Sequence, residues 1–209
     1  GEQWPKLPTK DFTPFITAIL AAQPEAVFSA LWGADAIGFI KQARGFGYFE
    51  KIKQHMGPDQ GDLEIAMGLG EEMPDGILAG AHYPVYAFDT KEAKDYIKKY
   101  QDKTGAGEFP PAGFGFGYYA TYFLAKAIAK AGDTNKEKVI DALEGFSLDT
   151  VVGKVTLRAY DHQAMRPFYW GYTKKTPDYP FSILRDLTSF TPEETVRPLE
   201  EVKKLRGEN

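Results

Sequence analysis

The chain has 209 residues, 43% of them hydrophobic and 26% charged, the balance of an ordinary globular protein with room for one large domain or two small ones. A formal net charge of −4 argues against nucleic acid as a partner, which demands a concentrated basic face, and the absence of Cys excludes disulfides and thiolate metal sites. No run approaches the roughly 20 apolar residues of a membrane span. Gly1-Glu2-Gln3-Trp4-Pro5 lacks an initiator Met and carries no signal peptide, so the chain reads as processed or truncated at its start.

In chain order, Asp11 caps a first helix with Pro14 in its opening turn. Phe15, Ile16, Ile19 and Leu20 share one face of it, and Pro24 ends it. Residues 27–31 are a continuous apolar run, as in a buried parallel strand. Asp35 opens a second helix with Ile37, Phe39, Ile40 and Ala43 inward, closed by Gly45 and Gly47. A strand near 52–56 stops at Gly57-Pro58-Asp59. Residues 62–70 are predicted helical, Pro74-Asp75-Gly76 a turn, and 77–81 a strand. Thr90 caps an amphipathic helix over 90–104, with Ala93, Tyr96, Ile97 and Tyr100 spaced at three and four. A loop over 105–111 precedes the strongest helix, 113–131, and a further helix spans 135–144. Residues 151–157, 168–172 and 181–185 read as strands. Thr191-Pro192-Glu193-Glu194 combines a cap, a first-turn Pro and a capping-box Glu, and starts a last helix that runs to Leu205. The order is α/β, then helical, then β-rich. It is not a simple βαβ series, so the chain is expected to pass between two lobes.

Two strand ends one βα unit apart carry the chemistry. In an open α/β sheet, ligands sit outside the carboxyl ends of the strands. The first end is the run through Leu31 to Trp32-Gly33, and the second is Asp59. Gly33 admits a close approach to the backbone, Trp32 offers an apolar or cation–π wall, and Asp59 pairs with an ammonium. The bland alternative makes Trp32 core and Asp59 a turn residue. Gly113-Phe114-Gly115-Phe116-Gly117 follows Pro110-Pro111-Ala112 instead of a strand, so it is expected to serve close packing at a helix start, not phosphate binding. Gly153-Lys154 lacks the rest of a P-loop. His55, His82 and His162 show no ligand spacing, which argues against a shared metal site, and His162 reads as part of a polar turn. There is no nucleophile elbow, no Cys nucleophile and no assembled catalytic or cofactor site, and Glu71-Glu72 and Glu193-Glu194 read as solvated faces or helix starts.

A series of short stretches resembles the C-terminal half of periplasmic solute-binding proteins of the leucine/isoleucine/valine type, which serve ABC transporters. They are Asp11-Phe12-Thr13-Pro14, Pro24-Glu25-Ala26-Val27-Phe28, Phe39-Ile40-Lys41-Gln42-Ala43-Arg44-Gly45-Phe46-Gly47 and Met56-Gly57-Pro58-Asp59. Further along come Gly117-Tyr118-Tyr119-Ala120, Ala125-Lys126-Ala127-Ile128, Ala142-Leu143-Glu144-Gly145, Val152-Gly153-Lys154-Val155-Thr156 and Asp161-His162-Gln163. The resemblance implies a type I periplasmic-binding-protein fold, α/β, with two lobes of parallel-sheet sandwich joined by a hinge that closes on the ligand. It implies that 1–83 is part of lobe 2, 84–167 part of lobe 1 without its first half, and 168–209 the return to lobe 2. It puts Asp59 where an acidic residue holds the ligand's α-ammonium, and Leu31-Trp32-Gly33 where aromatic side chains line the side-chain pocket. The Trp-Gly pair departs from the Tyr-Tyr common there and leaves room for a bulkier ligand.

The expected protein is an extracytoplasmic, periplasmic receptor that performs no catalysis and needs no cofactor or metal. It binds a branched-chain, aliphatic or aromatic amino acid and delivers it to a membrane permease. A sensor domain of a signalling receptor, or a receptor for an amide or aromatic acid, is the alternative. An aromatic acid suits Asp59 poorly, because two anions repel.

Overall fold

A computed structural model describes residues 1–105 and 107–208; Ala106, in the loop at 105–111, and Asn209 lie outside the described residues. The chain divides into two compact units, Gly1–Thr90 with Tyr169–Thr188, and Lys91–Phe168 with Ser189–Asn209. The unit divisions thus fall at 90/91, 168/169 and 188/189, against lobe boundaries read from the sequence at 83/84 and 167/168.

The first unit begins with helix α1 (Thr13–Ala22), whose start is tied down by the Asp11 carboxylate accepting from the Thr13 N–H at 2.9 Å. Strand β1 (Ala26–Phe28) leads into α2 (Gly33–Gly45) and the single turn α3 (Tyr48–Lys51). Strand β2 (Gln54–Gly57), helix α4 (Leu63–Leu69) and strand β3 (Leu78–Ala81) complete two βα units. Strands β1, β2 and β3 are parallel neighbours, with Val27 opposite His55 and Met56 opposite Leu78.

The expected buried strand over 27–31 is shorter than its apolar run and lies at the sheet edge. Val27 and Leu31 pack on the core, while Phe28 is 62% exposed. Only one face of this edge strand is covered, so the run mixes strand residues with the loop that follows. The core itself is helix on sheet. Phe12, Ile16, Phe39, Ile40, Ala43 and Tyr48 are buried, and Phe39 meets Phe12 and Tyr48 edge-on at 5.7 and 5.5 Å. Such aromatic pairs add about 1 kcal/mol each to their area burial.

In the second unit, α5 (Lys91–Thr104) and α6 (Ala112–Ala131) pack Tyr96 against Tyr118 and Tyr100 against Phe114. Helix α7 (Lys136–Leu143) is capped by the Asn135 side chain and buries Val139 and Ala142 beside Ala127 of α6. At Gly113 and Gly117 an added Cβ would meet nothing within 4 Å, so these two glycines do not serve the close packing expected of them, whereas Gly115 is buried in α6. The strand expected over 151–157 is one arm of a hairpin, β4 (Ser147–Thr150) with β5 (Gly153–Leu157). Val151 and Val152 form its turn despite their β-branched side chains, because Val152 is buried and the Val151 N–H donates to the Tyr119 hydroxyl at 2.9 Å. Strand β6 (Ala164–Met165) pairs with β5.

Strand β7 (Phe168–Lys174) re-enters the first sheet antiparallel to β3, and β8 (Ile183–Phe190) lies beside it, giving the order β1-β2-β3-β7-β8. The single last helix expected from 191 is two, α8 (Pro192–Thr195) and α9 (Leu199–Leu205). The capping box at Thr191 is present, but Pro198 has no N–H to donate and bars its predecessor from helical geometry. No described helix is long and apolar enough to cross a membrane.

Candidate ligand site at the carboxyl ends of three parallel strands

Because β1, β2 and β3 run parallel as neighbours, the residues that follow them share one edge of the sheet. Leu31, Trp32 and Gly33 follow β1, Asp59 follows β2, and His82 follows β3 directly. The Ser29 N–H still donates to the Met56 carbonyl at 2.8 Å, so the backbone of β1 continues one residue beyond the strand before it turns outward.

Trp32 caps α2 with extended backbone, and its carbonyl accepts the first helical bond from the Ala36 N–H. Trp32 is 65% exposed, so the reading of Trp32 as core does not hold. Gly33 takes φ +54°, a left-handed conformation that disfavours a Cβ, and an added Cβ there would meet only open space. Leu31 is half-buried, packed on the core behind them.

Asp59 lies on a tight turn, closed by the Gln60 N–H donating to the Gly57 carbonyl and the Asp62 N–H donating to the Asp59 carbonyl. A Cβ on Gly57 would fall 2.2 Å from Gln60 Cδ, so the turn closes only because residue 57 has no side chain. Beneath it lies a buried polar chain. The Tyr48 hydroxyl donates to His55 Nδ1 at 3.0 Å, and His55 Nε2 donates to Gln60 Oε1 at 3.0 Å. Burial pushes His55 down to about 4, so the imidazole stays neutral, and the same burial raises the Tyr48 phenol. The residue after Asp59 is thereby anchored in the core.

The structure adds two groups that sequence reading did not assign to the site. Asp62 caps α4 but makes no side-chain bond to that helix. Its Oδ1 accepts from the His82 backbone N–H at 2.9 Å, and its Oδ2 lies 2.9 Å from His82 Nδ1. Asp59 Oδ1 stands 3.5 Å from the same nitrogen. The sequence signal for His82 was its place immediately after an apolar strand, the same place that drew attention to Asp59. Trp32 and Asp59 sit on adjacent strand ends without a hydrogen bond between them. Asp59, Asp62 and His82 offer ligand atoms within 4.8 Å of one another, a grouping common at acidic surfaces and satisfied internally by the His82–Asp62 bonds. His55 is consumed by the core, and His162 sits on an exposed turn at φ +59°, 3.1 Å from Glu144.

Comparison with known proteins places the chain in a family. The model of the periplasmic binding protein family matches residues 1–177. The chain belongs to the periplasmic binding protein family. Curated relatives are the Leu/Ile/Val-binding protein homolog 4 of Brucella melitensis and of Brucella abortus, each 25% identical over 204 residues, covering 92% of this chain and 46% of the relative. Among solved structures, an amino acid ABC transporter substrate-binding protein from Pseudomonas fluorescens superposes with TM-score 0.78 at 21% identity, over 93% of this chain and 52% of that one. A solute-binding protein of an ABC transporter from Rhodopseudomonas palustris, in complex with p-hydroxybenzoic acid, gives 0.78 at 23%, over 89% and 50%. The leucine-, isoleucine-, valine-, threonine- and alanine-binding protein of Brucella ovis gives 0.74 at 20%, over 92% and 50%. These identities establish the fold, the type I periplasmic-binding-protein architecture, and this periplasmic binding protein chain spans about half the length of its relatives. The family's fold is that of solute-binding proteins.

Proposed function

We propose that this chain is part of the periplasmic solute-binding component of an ABC transporter, that it binds an amino acid without chemical turnover, and that it hands the ligand to a membrane permease. In this reading the first unit belongs to the C-terminal lobe and the second to part of the N-terminal lobe. Asp59 holds the α-ammonium, Trp32 forms the wall beside the ligand's side chain, and the open backbone at Gly33 admits bulk. The observation that carries the reading is a partly exposed carboxylate on a rigid strand-end turn, with a large exposed aromatic on the adjacent strand end. Relatives named as Leu/Ile/Val-binding proteins support the amino-acid class.

Calorimetric titration of the intact protein with leucine and phenylalanine tests the proposal. Micromolar or tighter binding is expected, and Asp59→Asn should cost about 3 kcal/mol, because it removes one partner of a desolvated charge pair. Unchanged affinity in Asp59→Asn would remove Asp59 from the site. A second reading is an aromatic acid as ligand. It is favoured by the imidazole 3.5 Å from Asp59, which gives that carboxylate a neighbour within the protein, and by the p-hydroxybenzoic acid complex of one structural relative. Binding of p-hydroxybenzoate with no binding of any amino acid would select it.

A further inference from the structure

His82 is clamped twice by one carboxylate, through its backbone N–H and through Nδ1, so its ring cannot swing away from the site. With Nδ1 protonated toward Asp62, the same edge of the ring stands 3.5 Å from Asp59 Oδ1. Asp59, from the turn after β2, and Asp62, from the start of α4, both bring a carboxylate against the ring. Asp62 is the more enclosed of the two, with 13% of its side chain exposed against 35% for Asp59. A ligand ammonium approaching from solvent therefore meets Asp59, and it meets it beside an imidazole, a side chain able to take up or release a proton.

We propose that His82 is the specificity-determining residue of this site, and that its proton competes with a ligand's ammonium for the Asp59 carboxylate. The inference rests on the amino-acid reading above. When His82 carries its second proton, Asp59 is compensated and an ammonium gains little there. When an ammonium occupies Asp59, the imidazolium faces a new cation and gives its proton to solvent. Binding of an ammonium-bearing solute thus releases a proton and strengthens as pH rises, and Asp62 fixes the imidazole in the place where this competition occurs. Solutes that lack an ammonium draw no such release.

The test is calorimetric titration of the intact protein with leucine, and with 4-methylpentanoate, its deaminated analogue, from pH 5.5 to 8, in two buffers of different ionisation enthalpy. The expected result for leucine is a Kd that falls about five- to tenfold across this range, of the order of one Coulomb contact in a hydrated site, with buffer-dependent heats that report proton release. His82→Gln should flatten the pH dependence and bind leucine more tightly than the unsubstituted protein at pH 5.5, while His162→Gln should leave the slope in place. The two-buffer measurement on the unsubstituted protein decides the matter even where His82→Gln folds poorly. Leucine binding with no proton release and a Kd independent of pH would overturn the role of His82 and leave the amino-acid reading standing. Failure of leucine and all other amino acids to bind at any pH would overturn both.

Discussion

The carboxylate of Asp62 is committed to His82 and not to the helix it begins. Both Asp62 oxygens lie 2.9 Å from nitrogens of His82, and α4 starts without a side-chain cap. An Asp at this position ordinarily accepts from the second or third helical N–H. Here the sheet has taken that group to hold the end of β3, so the turn bearing Asp59 and the strand bearing His82 are tied side by side.

Asp62→Ala leaves the half-buried His82 N–H without its acceptor. The expected loss of stability is about 1–2 kcal/mol, the usual cost of an orphaned donor, read from the urea midpoint at pH 7. Asp62→Asn keeps an oxygen for that N–H and should recover part of the loss. Equal losses in the two variants would show that the charge, and not the hydrogen bond, carries the contact.

His55 sets an acid limit on stability. Its folded-state value is held at about 4 by burial, against 6.5 for an ordinary histidine, so below pH 6.5 the unfolded chain binds a proton that the native chain refuses. Stability from this group is fully present above pH 6.5 and falls away as pH drops toward 4. The full difference is about 3 kcal/mol at 1.4 kcal/mol per pH unit. Urea unfolding at pH 7, 5.5 and 4.5 should show the decline, and His55→Phe should show a shallower one from a lower starting stability, because Tyr48 and Gln60 lose their partner.

Two glycines of the site differ in what an alanine would cost. Gly57→Ala drives a Cβ to 2.2 Å from Gln60 Cδ, in a side chain that is fully buried and bonded to His55. That overpacking should cost about 2–3 kcal/mol and weaken ligand binding by displacing the Asp59 turn. Gly33→Ala meets no neighbour within 4 Å and carries only the strain of φ +54°, about 1 kcal/mol. Denaturation midpoints should rank the two, and a raised Kd for leucine in Gly33→Ala would register the ligand's approach to that backbone.

Local pattern was enough to find the βα units and two of the three strand ends. Trp32 and Asp59 stand out as an aromatic and an acid where apolar runs stop, and the capping box at Thr191 depends only on neighbours in sequence. The contacts of His82 were hidden because Asp62 and Asp59 lie 20 and 23 residues before it and meet it only through the parallel register of β2 with β3. The same holds for the buried chain from Tyr48 through His55 to Gln60, where a histidine on a strand looks the same whether it faces core or solvent. The hairpin turn at Val151-Val152 escapes a reading of local pattern because a β-branched pair suits a strand, and Tyr119, 32 residues earlier in the chain, supplies one of the bonds that hold it as a turn.

Trp32 separates fold from function most cleanly. The residue is 65% exposed, and its backbone, not its side chain, makes the cap of α2. Truncation to alanine removes little buried surface, so Trp32→Ala should change the unfolding free energy by no more than about 0.5 kcal/mol, the usual range for an exposed position. If the indole walls the ligand's side chain, the same variant should weaken leucine or phenylalanine binding by about 2 kcal/mol, roughly thirtyfold, as an aromatic anchor does at the centre of a recognition site. Paired measurement of urea midpoint and Kd on one preparation checks both. A large stability loss would return Trp32 to a structural role, and an unchanged Kd would move the ligand's side chain away from the end of β1.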